Sequence, residues 1–262
     1  MFTVSQAQIE LWLGLFWWPF LRIFGLLLSD PFYSSRSISS PVRVALAILL
    51  AMLVSPLLPP LPAINVVSPA GILIAVNQLM IGLMIGFVAR LLFTAVELAG
   101  HLIGLQMGLS FATAYDPVHA TQVPIVAQFL SLVTLLLFLS MNGHLIMIRV
   151  VVDSFTQIPI DVRPLGADAF RLVAERGAMV FRLGMLLSLP VVGALLIANL
   201  AIGVMTRAAP QLNVFAVGFP LLLGIGLGAL YLVLPYYPPY IDSMVGDLTR
   251  FLAKLMGALA TH

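Results

Sequence analysis

The chain has 262 residues, 61% of them hydrophobic and 8% charged, with twelve Lys and Arg against ten Asp and Glu for a net charge of +2. A soluble domain carries about 25% charged residues, so this composition describes an integral membrane protein, and so small and scattered a charge excludes nucleic-acid binding. The absence of cysteine excludes a disulfide framework and any Cys metal site.

Met1 to Glu10 contains no Lys or Arg ahead of the first apolar run, so no cleavable signal peptide is expected. Six apolar runs follow, roughly 11–28, 42–58, 71–99, 124–148, 178–205 and 214–234. Each is near or above the 17–25 residues of a spanning helix, and the expectation is an all-α membrane protein of about six long apolar helices in hairpins. The first run carries Arg22, whose insertion cost of ~3 kcal/mol is outweighed by its Leu, Ile and Phe neighbours. Arg22 therefore needs a partner, and Pro19 should kink the helix. Trp12, Trp17 and Trp18 are interfacial anchors or helix-packing bulk. A polar hinge occupies 29–41, and a proline-rich, uncharged segment occupies 55–69, which should be extended.

The third run has an unusual face. Gly82, Gly86, Arg90, Thr94, Glu97, Gly100, Gly104 and Gly108 recur at steps of three or four, which keeps them on one side of a helix. That face is bare backbone with one Arg and one Glu. It suits close-packed helices around a wet cavity or a partner, not lipid. The rail is expected to press against sister subunits. The run then continues into GLSFATAYDPVHATQVP (108–124), with Asp116-Pro117 as the breaker. This stretch reads either as a pore constriction or as an ordinary loop.

The fourth run leads to Arg149 and Asp153, which pair at i, i+4. From Asp168 an amphipathic helix begins. The fifth run contains Arg182 and Asn199, and the sixth contains Gly224, Gly226 and Gly228. PYYPPY (235–240) should break the last span and place its tyrosines in an aromatic belt. Beyond it Ile241, Met244, Val245, Leu248, Phe251, Leu252, Leu255 and Leu259 form one apolar face, for the membrane surface or a partner. Loop charges do not fix orientation: Arg36, Arg43 and Arg207 fall on one side, and Arg163, Arg171, Arg176, Arg250 and Lys254 on the other.

Enzymatic signatures are lacking. The four histidines show no ligand spacing, no Walker A sequence occurs, and Gly108 to Ala112 is only a partial nucleophile elbow without a strand-turn-helix setting. No catalytic residue, cofactor or metal is expected. A proton relay through Arg90 and Glu97 would suit a small-solute or ion transporter, but no inverted repeat relates the two halves.

MTRAAPQLNVFAVGFPLLLGIGLG (205–228), together with 108–124, resembles the FliR family of flagellar biosynthetic proteins over essentially the whole chain. Virulence-type secretion counterparts share part of that block. The resemblance implies a non-enzymatic subunit of the flagellar type III protein export gate, in the bacterial inner membrane at the flagellar basal body. It implies that a FliP-like part (1–177) is fused to a FliQ-like helical hairpin with a C-terminal amphipathic helix (178–262). FliP-like and FliQ-like subunits would share a helical multi-subunit gate, with an FlhB-like subunit outside and unfolded exported proteins passing through. Gly108, Leu109, Ser110, Phe111, Ala112, Tyr115, Asp116 and Pro117 would belong to a plug loop spanning Gly108 to Gln122. Gly82, Gly86, Gly100 and Gly104 would serve helix packing, and Arg22, Arg90, Glu97 and Arg182 would be buried charges paired between subunits. Arg207, Pro210, Gln211, Asn213 and Phe215 would form a subunit-contact turn.

Overall fold

The apolar runs become helices, and what ends each helix is local chemistry. The computed structural model describes residues 6–35, 37–59, 64–109, 125–209 and 214–260, with the side chains of 6–12 and 214–216 outside the description. Among the described residues all regular structure is helical. In chain order these are α1 (Gln6–Ser29), α2 (Ser40–Val54), α3 (Pro69–Gln106), α4 (Ile125–Ser140), α5 (Gly143–Gln157), α6 (Ala167–Ala208), α7 (Val214–Val233) and α8 (Tyr237–Ala260). Single 3-10 turns follow α2 at Ser55–Leu57 and α7 at Leu234–Tyr236. Among the described residues four segments are long and apolar enough to cross a membrane, or five if α4 and α5 form one bent span. That is fewer than the six expected, because α1 counts only as a shorter apolar helix over Leu13–Ser29; α7 and α8 run as one segment. The membrane location expected from composition therefore stands.

Termini explain the boundaries. Asp30 stops α1 by turning its carboxylate back onto the chain, where Oδ1 accepts the N–H groups of Phe32 at 2.9 Å and Tyr33 at 3.1 Å. Such a side-chain turn competes with the helix for backbone donors. Ser68 starts α3: Pro69 occupies its first position and the Gly71 N–H donates to Ser68 Oγ at 3.1 Å, which is N-capping with proline where its missing N–H costs nothing. The 38 residues of α3 span ~57 Å at 1.5 Å each.

Two expectations from sequence are corrected here. The glycine-faced helix does not run through Gly108, nor does it wait for Asp116-Pro117. Gly108 has a left-handed φ of 77°, the Leu109 N–H reaches the Gly104 carbonyl at 3.1 Å, and the Gly108 N–H reaches that of Leu105 at 3.1 Å. Those two bonds form a Schellman stop, and glycine adopts its left-handed position without penalty. The fourth run is likewise not one straight helix. Asn142, at φ 58° and ψ 26°, separates α4 from α5, which are bent by 63°. Asparagine tolerates the left-handed region, and its carbonyl accepts the N–H groups of Leu145 and Ile146 to start α5.

The chain divides into two compact units. The first comprises residues 1–91, 142–176 and 246–262. Its core is built on Trp18, Ile23, Leu26 and Leu27 of α1, Ala47 and Ala51 of α2, Ile81 and Ile85 of α3, and Met147, Val151 and Phe155 of α5, all buried. Leu248, Leu252 and Leu255 of α8 are buried in the same unit. The second unit comprises residues 92–141 and 177–245. Its core has Val96, Ala99 and Ile103 of α3, Leu130 and Phe138 of α4, and Val191 and Leu195 of α6. Phe93 and Phe138 meet edge to face at 5.5 Å. Burial of the apolar stripe of α8 corrects the expectation that it lies on a membrane surface or a partner: the chain's own helices cover it. PYYPPY does not sever the last span either. It becomes the short 3-10 turn, and α8 resumes at Tyr237, its prolines falling in a first turn whose N–H groups have no intrahelical acceptor.

Candidate functional site: a glycine face and a buried arginine

In the first unit, α1 and α3 touch backbone to backbone. A Cβ on Gly82 would fall on the Arg22 carbonyl oxygen. One on Gly86 would fall on Ser29 Oγ and lie 2.7 Å from the Asp30 nitrogen. The contact is reciprocal, because a Cβ on Gly25 of α1 would come within 2.5 Å of the Leu79 carbonyl oxygen. Ser29 Oγ donates across the crossing to the Leu83 carbonyl at 3.0 Å. Small residues permit this approach, and an interhelical hydrogen bond secures it. In the second unit, a Cβ on Gly100 would lie 2.7 Å from the Ala127 nitrogen of α4. Gly104 is buried as well.

The rail was expected between subunits. At Gly82, Gly86 and Gly100 the chain's own helices occupy it instead. A different set of glycines faces open space: Gly193 and Gly203 of α6 and Gly224 and Gly228 of α7 have no atom within 4 Å of an added Cβ.

The crossing delivers Arg22 into the core of the first unit, where it is fully buried. Its Nε donates to Gln78 Oε1 at 2.7 Å, one Nη to Ser154 Oγ at 3.0 Å, and the other Nη to the Ile158 carbonyl at 2.9 Å. The Phe155 ring lies 4.2 Å from the guanidinium carbon, a cation–π contact strengthened by desolvation. Among the described residues no carboxylate is its partner. The planar fork suits three acceptors, one on α3 and two from α5 and its C-cap, which a lysine's point charge does not. Arg22 thus finds its partners inside the chain, not in another subunit. Gln78 and Ile158 also line a cavity of about 90 Å³ with Asn77, Asp161 and Arg163, where Asn77 Nδ2 donates to the Arg163 carbonyl at 2.8 Å.

The other charges expected to be buried are exposed: Arg90, Glu97 and Arg182. Of the expected plug, Gly108 and Leu109 belong to the stop of α3, and Ser110, Phe111, Ala112, Tyr115, Asp116 and Pro117 lie outside the described residues. Of the contact turn, Arg207 is exposed in the last turn of α6 and Phe215 lies in the first turn of α7, while Pro210, Gln211 and Asn213 lie outside the described residues. Among the described residues no group of three His, Asp or Glu is placed to hold a metal.

Sequence reading missed Gly25, Gln78, Ser154 and Asp30. Gly25 and Ser29 are one turn apart on α1, a small-residue pair matching Gly82 and Gly86. Asp30 is a different case. It is buried, with Oδ2 lacking any partner, and this burial pushes its carboxyl up to about 6 against the opposing effect of its two backbone N–H bonds.

Comparison with known proteins places this architecture. Residues 13–248 match the family described as bacterial export proteins, family 1. The flagellar biosynthetic protein FliR of Pectobacterium carotovorum subsp. carotovorum is 39% identical over 261 residues, covering 100% of both chains. The FliR of Escherichia coli (strain K12) is 38% identical, covering 99% of each chain. That of Bacillus subtilis (strain 168) is 31% identical over 79% of this chain and 80% of its own.

Proposed function

Because the chain belongs to the bacterial export proteins, family 1, and its full-length relatives are flagellar biosynthetic FliR proteins, we propose that it is a channel-forming subunit of the flagellar type III export gate. The observation that carries this reading is 39% identity over 261 residues, covering 100% of both chains. Within the flagellar export apparatus its part is structural, not enzymatic. The relatives are flagellar by name, so neither the solute transporter nor the virulence-type counterpart is favoured.

The finer reading is ours. Residues 1–177 act as a FliP-like part and 178–262 as a FliQ-like hairpin. FliP-like and FliQ-like subunits pack around them in the bacterial inner membrane at the flagellar basal body, with an FlhB-like subunit on the outside. Gly108 to Gln122 plugs the passage for unfolded flagellar proteins, since an apolar, adaptable loop seals a conduit against ions by excluding water. Arg207, Pro210, Gln211, Asn213 and Phe215 form a contact turn for adjacent subunits. Supporting the assembly are the exposed charges Glu97 and Arg182, which are costly to leave in lipid, and the uncovered apolar side chains of α6 and α7. Ile197 and Leu200 are each 72% exposed and Tyr231 is 77% exposed.

The test is genetic and electrical. Removing the gene should abolish secretion of flagellar proteins, with restoration by the full chain. A chain lacking 110–116, assembled with its partners, should conduct small ions when idle. Undiminished flagellar secretion without the gene would refute the export role, and an unchanged leak from the deletion would refute the plug alone.

A further inference from the structure

Asp30 stands between α1 and α2, outside the apolar runs, and no part of its side chain is exposed. Its carboxylate is used unequally. Oδ1 holds the turn through the Phe32 and Tyr33 N–H groups, and the Asp30 carbonyl accepts the Ser34 N–H at 2.9 Å. Oδ2 is buried and receives no donor. An ionised carboxylate deprived of water on one oxygen is destabilised by far more than a neutral carboxyl group.

Among the described residues the surroundings offer no compensation. From α2, Arg43 points its guanidinium at the carbonyls of Tyr33 at 3.0 Å, Ser35 at 3.5 Å and Ile38 at 3.3 Å, not at the carboxylate. From the turn itself, the Tyr33 hydroxyl donates to the His144 carbonyl at 3.4 Å. From α5, the His144 ring lies 5.9 Å from that of Phe32, and its Nδ1 is buried without a partner. From α3, the neighbour is Gly86, which brings only backbone. Arg36 lies outside the described residues.

We propose that Asp30 is a proton-operated clasp: the turn at 30–35 is held closed when Oδ2 carries a proton and loosens when the proton leaves, because opening is then the only way to hydrate that oxygen. This inference does not depend on the export role. The direction follows from linkage. The closed turn holds its proton up to about pH 6, whereas an ordinary aspartate releases it near 3.8. The closed form thus binds more protons between those values, and its stability falls as pH rises through that window, then levels off.

Hydrogen exchange on the full chain in detergent, corrected for intrinsic rates, reads the turn directly. Between pH 5 and pH 7.5 protection of the Phe32, Tyr33 and Ser34 amides should fall about tenfold. D30N retains the Oδ1 acceptor and mimics the neutral form, so its protection should stay level over the same range. H144Q should keep the tenfold change. A flat profile in the unmodified chain, a persisting slope in D30N, or a slope abolished by H144Q would each overturn the clasp.

Discussion

Gly82 lies so close to Arg22 that a single methyl group on it would occupy the position of the Arg22 carbonyl oxygen. The contact joins two features that look unrelated in sequence. A bare backbone on α3 lets α1 settle against it, and that approach sets the Arg22 side chain one turn away, where Gln78 of α3 accepts from it. The glycine face and the intramembrane charge are one device. Close packing brings the neutral acceptors within reach, and the acceptors make the charge tolerable.

Gly82→Leu and Gly86→Leu should therefore damage the isolated chain itself. Backbone atoms obstruct both sites, with Ser29 Oγ as well at Gly86, and the backbone cannot swing aside, so overpacking of about 1–3 kcal/mol is the lower bound. Thermal unfolding of the purified single chain in detergent should shift down for both, and for Gly100→Leu through Ala127. An unshifted transition for Gly82→Leu would mean that α1 and α3 do not cross as described.

Arg22→Met should cost about 3 kcal/mol or more, because Gln78, Ser154 and the Ile158 carbonyl lose their donor while remaining buried. Arg22→Lys keeps the charge but not the fork, and should fall between the two. The double change Arg22→Met with Gln78→Leu should recover part of the loss, since it removes a stranded acceptor together with its donor. Chemical denaturation of the unmodified chain, Arg22→Met, Gln78→Leu alone and the double variant gives that coupling directly.

The helical class and the presence of a special face on α3 were legible because both rest on local periodicity, which composition and spacing display. What covers that face was not legible. A stripe of glycines announces close approach but carries no address, and here the address is Gly25 and Ser29, 53 or more residues upstream in the same chain. Arg22 shows the same limit: its cost in a membrane called for a partner, expected in another subunit, whereas neutral groups of α3 and of α5 with its C-cap share it inside the chain. The break at Asn142 was missed because the apolar pattern passes straight over it, and only the Asn-Gly pair marks it. Gly108 was read as the end of the stripe when it is the stop of the helix, a distinction that depends on the sign of φ.

Asp30 gives the whole chain a pH dependence as well. Its carboxyl, raised to about 6, weakens the folded state as pH climbs from about 4 to about 6. At pH 7.5 D30N should unfold at a higher temperature than the unmodified chain, with a ceiling of about 3 kcal/mol for a shift of this size. Below pH 4 the two should converge. Melting curves at pH 3.5 and 7.5 test both halves.

Two arginines on α6 should behave differently although both are ion-paired. Arg176 donates to Asp247 at 2.5 Å, stacks over Phe251 at 4.5 Å and keeps only 15% of its side chain exposed. Arg171 reaches Glu175 at 2.8 Å but is 78% exposed, where water and salt screen the pair. Arg176→Ala should lower stability by about 1–2 kcal/mol, whereas Arg171→Ala should leave the melting temperature essentially unchanged. Equal effects in a melting comparison would contradict the difference in burial.

The open glycines separate lipid from protein as the covering of α6 and α7. Gly193, Gly203, Gly224 and Gly228 have room for a Cβ within the chain, so leucine there should leave the melting temperature of the single chain unchanged or slightly raised, glycine being the weaker helix former by about 1 kcal/mol. Lipid accepts the added side chain without consequence. A neighbouring helix that uses the gap for backbone approach does not. Under the proposed gate assembly, Gly228→Leu should fold normally alone and yet reduce recovery of the mixed complex with its FliP-like and FliQ-like partners, while Gly82→Leu lowers both. Undiminished recovery for all four open positions would place these faces against lipid, leaving the exposed Arg182 on α6 as the remaining feature of that surface that calls for a protein partner.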